Sequence, residues 1–405
     1  MDIERAHIGR RIRELRKWRR MDQQAVAGLA GISTSYLSRI ERGERPVTKR
    51  LVLERIAAAL RVSPAELTPE IDLVTDDAGT ETHSAMATLG DLLGGWWVGE
   101  VPDAPGRPLP QVLDELARFH AARNSGGAQA AGDYATQVAT LAPLIRDLLV
   151  AAADPQLRRE ALPPLLTAYH VAGSISARLR IPGMPSLAAD RMWQVAAELD
   201  DPVWHAVSQW GRALFLSGTN RARQYDLAVA VADQAPADRA ETRGMANLTA
   251  ALAAAARGDG DLAETHLAEA AAVAERLDSD TSPWPSGIMQ FGRTNTAIHR
   301  VAISVELGHG ARVAEYASSV RTDTISRGRQ AAFWVDYGRG MLTERRTRDE
   351  GMAALLRAEQ LAPQQVRTNV WAREAVTGLL GTGVRAARGR ELRFLAWRMG
   401  IAPTG

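Results

Sequence analysis

The stretch GISTSYLSRIERGERP, residues 31–46, decides how the N-terminal end of this chain folds. Gly31 is suited to ending one helix, because glycine readily adopts the left-handed conformation that follows a helix C-terminus. Ser33 stands where the N-cap of a next helix is expected, since its hydroxyl can accept a hydrogen bond from a free backbone N–H. Leu37 and Ile40, three residues apart, predict the buried face of that helix. The stretch therefore predicts a tight turn between two helices, with hydroxyl and arginine side chains on the outer face.

Helical spacing continues on both sides of this turn. Ile8, Ile12 and Leu15 predict the apolar stripe of a basic first helix, and a second helix is predicted over residues 23–30. Thr48 is predicted to cap a fourth helix whose buried face comprises Leu53, Ile56, Ala57 and Leu60. Ser63 followed by Pro64 predicts the start of a fifth. Five short helices within about seventy residues predict a compact basic bundle.

The charge of the chain is concentrated in this bundle. The 405 residues carry a net charge of +2, but residues 1–64 contain 15 Lys and Arg against 7 Asp and Glu, or +8, which leaves −6 for the remainder. A basic lobe attracts phosphate, and an acidic remainder resists binding nucleic acid elsewhere. The N-terminus lacks the pattern of a secretory signal and no apolar run reaches the roughly 20 residues of a membrane span. Together with the absence of cysteine, this predicts a cytoplasmic protein with no membrane association.

The segment DQQAVAGLAGISTSYLSRIERG, residues 22–43, resembles the helix-turn-helix of the Cro/CI-type (XRE) DNA-binding domains. The positions that match the helix start, small, turn and core residues of that family are Gln23, Ala27, Gly31, Ile32, Leu37 and Ile40. The resemblance implies that the helix after Gly31 enters the major groove of operator DNA, where Arg can bind guanine and Ser or Thr can contact either base type.

Both the exposed pattern and the resemblance assign roles to the polar residues of this segment. The side chains predicted to read bases are Thr34, Ser35, Ser38 and Arg39, and those predicted to contact phosphate are Gln23, Gln24, Arg42, Arg45 and Lys49. Glu41 would repel phosphate, so the family precedent of an ion pair with the first helix applies, with Arg13 as the most plausible partner.

Beyond this segment the sequence predicts an all-α chain of two parts. Residues 1–70 form the DNA-binding domain, residues 71–110 a linker rich in Asp, Gly, Thr and Pro, and residues 111–405 a helical domain. Within the linker, residues 84–99 favour a short helix with Trp96 and Trp97 packed at the domain junction. Because two adjacent residues cannot share one helix face, the alternative is that they mark an interface. Aliphatic–alanine pairs recur at steps of 40, 35, 51 and 39 residues in the helical domain, near the period of about 34 of tetratricopeptide repeats. A tetratricopeptide-like α-solenoid is therefore predicted.

Such a solenoid on a Cro/CI-type head resembles bacterial regulators that sense a ligand. The aromatic and polar candidates for its ligand site are Trp193, Trp204, His205, Trp210, Arg293, Asn295, Gln330, Trp334 and Tyr337. The same aromatic residues could instead be core. The sequence thus predicts a DNA-binding transcription regulator that acts as a homodimer and responds to a small molecule or peptide. The alternative is a protein-interaction adaptor whose helical domain binds a protein partner while the head localises it.

No enzymatic chemistry is predicted. Metalloprotease, P-loop and serine-hydrolase motifs are absent from the sequence, and the eight histidines have no metal-ligand spacing. We therefore expect neither catalytic residues nor a metal or other cofactor.

Overall fold

The computed structural model describes residues 8–68, 77–102, 105–124, 133–216, 220–237, 239–285, 287–381 and 389–401. These residues form an all-α protein, as predicted; the β-structure among them is one isolated bridge between Ser282 and Phe291. The N-terminal head contains α1(Ile8–Trp18), α2(Gln23–Ala30), α3(Thr34–Glu41), α4(Arg50–Leu60) and α5(Pro64–Leu67).

All later helices belong to what we call the body. Its first half comprises α6(Asp77–Gly95), α7(Leu109–Asn124), α8(Tyr134–Ala153), α9(Arg158–Leu179), α10(Met184–Leu199), α11(Pro202–Phe215), α12(Arg221–Gln234) and α13(Ala240–Ala256). Its second half comprises α14(Gly260–Arg276), α15(Arg293–Leu307), α16(Val313–Ala317), α17(Arg327–Met341), α18(Arg348–Leu361), α19(Pro363–Arg367), α20(Val370–Gly381) and α21(Gly389–Arg398).

The turn between α2 and α3 forms as the sequence predicts. Gly31 has φ 65°, in the left-handed region, and its N–H satisfies the last carbonyls of α2. The Ser33 hydroxyl accepts a hydrogen bond from the Tyr36 N–H at 3.1 Å and caps α3. Ser63 and Glu66 form a capping box on α5. These local signals therefore fix where three of the head helices begin or end.

The predicted cap of α4 is wrong. Lys49, not Thr48, occupies the N-cap position, and among the described residues no side chain of the head caps this end of the helix. The Thr48 carbonyl instead accepts a hydrogen bond from Arg339 of the body at 2.7 Å. The start of α4 is thus completed by the body.

The predicted linker, residues 71–110, contains a long helix of the body, α6. Helix α6 packs on α8, and Leu89 and Leu93 are fully buried in the body core. Trp96 packs partly buried against the same core. Trp97, which we predicted to be packed, is 56% exposed, with the Arg191 guanidinium 5.1 Å from its ring centroid. Two adjacent residues cannot share one buried face, and Trp96 takes it.

The body is a stack of helices in which each element packs mainly on its neighbours in sequence. Pairs from α8 through α15 are in successive contact, followed by α15 on α17 and α17 on α18. The stack curls back on itself, because α19 contacts α9. There the Tyr134 hydroxyl donates to the side-chain oxygen of Gln365 at 3.0 Å, and the Thr368 hydroxyl donates to the Arg178 carbonyl at 3.0 Å. Residues more than 180 positions apart thus surround one interior.

Helix α8 is the one described helix that is long and apolar enough to span a membrane by length and composition. Most of this segment is buried inside the protein, and its Leu141, Leu144, Ile145, Leu148 and Leu149 are fully buried core residues. The apolar composition of α8 is therefore explained by its place in the body core.

Candidate nucleic-acid interface

Helix α3 presents one buried and one open face. Leu37 and Ile40 are buried in the head core, whereas Thr34, Ser35 and Arg39 are exposed. Arg39 donates no side-chain hydrogen bond within the described part of the chain. Its guanidinium is therefore available to an external acceptor.

Three other predicted DNA contacts, Ser38, Arg42 and Arg45, lie beside this face and already make contacts within the protein. Ser38 is half-buried, and its hydroxyl accepts a hydrogen bond from Arg42 at 2.5 Å. Arg42 also pairs with Glu44 at 2.5 Å, and the Arg45 guanidinium lies 5.5 Å from the Tyr36 ring centroid. Arg42 and Arg45 are nonetheless exposed beside α3, so the structure brings them into one basic surface with Arg39.

A buried carboxylate holds α3 against α1 and α2. Glu41 is 3% exposed, and both its oxygens accept from Arg16, at 2.6 and 2.8 Å. Gln23 donates to the same carboxylate at 2.7 Å, while Gln24 is exposed. Arg13, the partner we predicted for Glu41, is exposed instead. Arg16 lies almost one turn further along α1, on the side that faces α3.

Lys49 differs from the other predicted phosphate contacts. It is half-buried, and its ammonium lies 3.5 Å from the Leu307 carbonyl at the C-terminal end of α15. A cation is favourable at that end, where backbone carbonyls lack partners. In this arrangement Lys49 contributes to the contact between head and body.

That contact is centred on Glu306 of α15. Its carboxylate accepts a hydrogen bond from the Arg50 N–H at 3.0 Å, so it supplies the N-cap that α4 lacks. It also pairs with the Arg50 side chain and with Arg339 at 2.9 Å. Burial opposes ionisation, but the two arginines outweigh it and lower the pKa of Glu306 to about 2. Both arginines also lie over the ring of Trp371, at 5.3 and 4.9 Å.

Further contacts attach the head to other helices of the body. Arg221 of α12 lies 3.4 Å from Glu54, and Arg180, after α9, donates to Thr68 at 2.7 Å. At the start of α1, the Ile8 N–H donates to Glu374 of α20 at 3.1 Å. These contacts involve the ends of the head and α4, and they leave the outer face of α3 open.

Glu374 makes the head–body contact sensitive to pH. Burial raises the pKa of this carboxyl to about 7, although hydrogen bonds from the Ile8 and Val47 backbone favour its ionised form. A raised folded-state pKa means that stability falls as pH rises from about 4.5 to about 7, where the buried group must ionise.

We expect Glu374→Gln to stabilise the protein at pH 8 by roughly 1–3 kcal/mol, because glutamine stays neutral and can still accept the Ile8 hydrogen bond. Urea unfolding at pH 4.5 and 8 checks this. The stabilisation by Glu374→Gln should vanish at pH 4.5. The exposed control Glu269→Gln should show no such dependence of stability on pH. An equal gain at both pH values would contradict the assigned pKa.

The residues predicted to bind a ligand do not form one site. Trp210 is 1% exposed, stacks on His170 with ring centroids 5.2 Å apart, and belongs to the core. Trp193 lies on His205 and Trp204 on Trp284. The polar candidates bond within the protein: Arg293 to Asp280, Asn295 to Met245 and Gln330 to the Ile325 carbonyl.

Trp334 and Tyr337 alone among the candidates line a common cavity. It measures about 480 Å³ and lies between α16, α17 and α18, with Phe333, Glu350 and Arg357 also in its wall. The Tyr337 hydroxyl donates to Glu350, and the Arg357 guanidinium lies 4.3 Å from the Trp334 ring centroid. The size and mixed lining are within the range of small-molecule sites.

Sequence reasoning missed the residues that join head and body and a group of basic residues inside the body. Glu306, Arg339 and Glu374 lie in the helical domain without any local motif, and no spacing links them to the head. Within the described residues, no group of three His, Asp or Glu lies close enough to hold a metal ion.

Comparison with known proteins gives one family match, to the head, and one distant structural match. A family model described as a helix-turn-helix domain matches residues 7–69. The apo form of the competence regulator ComR from Streptococcus vestibularis is distantly similar in structure, with a TM-score of 0.30 and 16% identity, over 86% of this chain and 97% of that one. Comparison with curated proteins gives no match. Residues 7–69 thus constitute a helix-turn-helix domain of the Cro/CI type, as the sequence pattern predicted.

Proposed function

We propose that this protein is a sequence-specific transcription regulator of the cytoplasm that reads operator DNA with the outer face of α3. The observation that carries this proposal is the open face itself. Thr34, Ser35 and Arg39 are exposed, while the Glu41 cluster braces the helix that bears them. An α-helix fits the major groove, and rigid presentation of its side chains favours readout of base edges.

The polar residues around α3 divide by chemistry into two roles. Thr34, Ser35, Ser38 and Arg39 contact bases, because they lie on the outward part of the recognition helix. Gln23, Gln24, Arg42 and Arg45 position the head on phosphate and carry no sequence information. Lys49 can contact phosphate only if its ammonium leaves the Leu307 carbonyl of α15. We therefore expect it to contribute least to DNA affinity.

We further propose that the body senses a small molecule or peptide and transmits its state to the head. Support comes from the contacts of the head with α9, α12, α15, α17 and α20. A shift of α15 must move or release the start of α4, since Glu306 of that helix provides its cap. A ligand changes DNA affinity only to the extent that it binds the two states of this contact differently.

A homodimer completes the proposal. One head has a small footprint, whereas two heads related by a two-fold axis read half-sites one helical turn or a multiple of it apart. Helix α21 leaves Phe394 and Trp397 exposed, at 56% and 73%, and a second copy would cover such apolar side chains.

Selection of genomic duplex fragments by the purified full-length protein near physiological salt tests the function. Enrichment of one palindromic motif supports specific readout by a dimer. Retention that ignores sequence and falls steeply with salt would mean phosphate attraction alone. That second outcome would overturn the regulator and favour an adaptor that binds a protein partner.

A further inference from the structure

Within the described residues, three arginines inside the body have no anionic partner. Arg123 of α7, Arg178 of α9 and Arg329 of α17 come from helices far apart in sequence, and they act on one another electrostatically. Arg123 donates one hydrogen bond, to the Gly287 carbonyl at 3.3 Å. Among the described residues, the side chains of Arg178 and Arg329 bond to no acceptor, and none of the three pairs with a carboxylate. Like charges gathered away from bulk water are costly unless an opposite charge joins them.

Three histidines adjoin these arginines. His120 contacts Gly287 so closely that a Cβ there would lie 1.9 Å from its Nδ1, so it shares this loop with Arg123. His170 is 3% exposed, and neither of its ring nitrogens has a hydrogen-bond partner in the part of the chain that the structure describes. The charged and titratable groups around it are Arg123, Arg329, Arg178 and His120, while His299 faces Arg329. A buried neutral imidazole with two unsatisfied nitrogens can still donate one hydrogen bond and accept another.

This cluster of arginines and histidines is only partly enclosed by protein. It lies where the stack of helices curls back and α19 meets α9. Arg178 is packed so closely against α17 that a Cβ on Gly328 would lie 2.6 Å from its Nη1. Arg123, Arg178, Arg329 and His299 are nonetheless only half-buried. Guanidinium and imidazole groups that keep part of their surface open can still contact a solute.

The acid–base behaviour of the cluster agrees with a missing anion. Burial, followed by the charge of Arg178, lowers the pKa of Arg329 to about 10 and that of Arg123 to about 9. Burial likewise lowers the pKa of His120 and of His299 to about 4, so both are neutral at pH 7. Burial is the largest cause of each shift, and neighbouring positive charge acts in the same direction.

We propose that Arg123, Arg178 and Arg329, together with His120, His170 and His299, form a binding site for an oxyanion of two or more negative charges. Phosphate esters and polycarboxylates share this chemistry, because their oxygens accept the paired N–H donors of guanidinium. The site is separate from the aromatic cavity beside Trp334. If the body is a sensor, such an anion is its effector. This effector role rests on the proposed function, whereas the binding site does not.

Binding is measured by calorimetry on the full-length protein at pH 7.5 with sodium pyrophosphate and sodium citrate, against sodium chloride at equal ionic strength. Saturable binding of at least one anion is expected. The anion that binds more tightly shows whether the site prefers phosphate or carboxylate groups. Arg329→Gln and Arg178→Gln should each weaken it about tenfold or more, since each removes a charge-assisted contact. Arg223→Gln, an exposed arginine on α12, should leave affinity unchanged.

Thermal unfolding without added anion separates a ligand-binding role from a structural one. Removing one of three repelling charges should leave the unfolding temperature of Arg329→Gln equal to or above that of the wild type, whereas loss of a structural arginine would lower it. Arg329→Lys keeps the charge and should bind more tightly than Arg329→Gln. Wild-type binding no stronger than chloride, or affinity untouched by both Gln substitutions, would overturn the site.

The effector role has a separate readout. Affinity for the selected duplex is compared with and without a saturating amount of the anion that binds. An altered affinity supports the effector role, and an unchanged one overturns that role while the site stands. Because the calorimetry uses no DNA, failure of specific DNA binding would overturn the proposed function without affecting the test of the site.

Discussion

Glu306→Ala is expected to destabilise the protein by about 3–5 kcal/mol, the largest effect of any single substitution considered for this chain. The substitution removes the N-cap of α4 and leaves Arg50 and Arg339 without their shared carboxylate. Arg339 has 2% of its side chain exposed, so water cannot replace the lost partner. Urea unfolding near pH 7 measures the loss, and Glu306→Gln should lose less because it keeps an acceptor for the Arg50 N–H.

An exposed ion pair provides the matched control. Glu264 lies 3.4 Å from Arg300 and is 49% exposed, so Glu264→Ala should cost less than about 1 kcal/mol. The pH dependence provides a second check. A pKa lowered to about 2 means that the contribution of Glu306 is present above about pH 4.5 and is lost as pH falls through 2. The difference in free energy of unfolding between the wild type and Glu306→Ala should therefore decrease below pH 4.5. Equal costs for the two alanine variants would refute the assigned role.

Arg39→Ala is expected to lower affinity for the selected operator by about 1–3 kcal/mol, or roughly 5- to 150-fold, and to relax sequence preference at one base pair. Arg39 is exposed on the outer face of α3, and within the described residues its side chain donates no hydrogen bond. Stability should change little, since the one carboxylate on which its charge acts, Glu44, is exposed and already pairs with Arg42. Fluorescence anisotropy with the operator and with single-base variants of it measures both effects.

Arg42→Ala serves as the comparison on the same surface. Arg42 already pairs with Glu44 and Ser38, so we expect it to position the head rather than to read bases. Its loss should weaken binding to all duplexes alike and reduce the slope of log affinity against log salt by about one. If Arg39→Ala behaved in this uniform way as well, base readout by Arg39 would be refuted.

The sequence determined most of the head, because the signals that build it are local. Gly31 and Ser33 set the end of α2 and the start of α3 through backbone geometry and a hydrogen bond within three residues. Leu37 and Ile40 are buried as their spacing predicts. The two errors in the head, Arg13 for Arg16 and Thr48 as a cap, have one cause. Each concerned a side chain whose partner lies on another helix, where a shift of one turn or one residue decides the contact.

The ligand candidates in the body could be predicted less well. Aromatic residues at helical spacing serve the core and a cavity wall equally, and sequence alone cannot separate Trp210, which is buried, from Trp334, which lines the cavity. Only the packing of α16, α17 and α18 brings Trp334, Tyr337 and Arg357 to one wall.

By itself, then, the sequence determined the all-helical class, the core of the head and the polar face of α3. Each follows from periodicity, capping and charge within a few turns of helix. The tertiary structure decided that Glu306 caps α4 and that Arg123, Arg178 and Arg329 meet inside the body. Such contacts join residues 50 to 260 positions apart. They arise from the way a stack of helices curves, a sum of many small packing angles that no local pattern encodes.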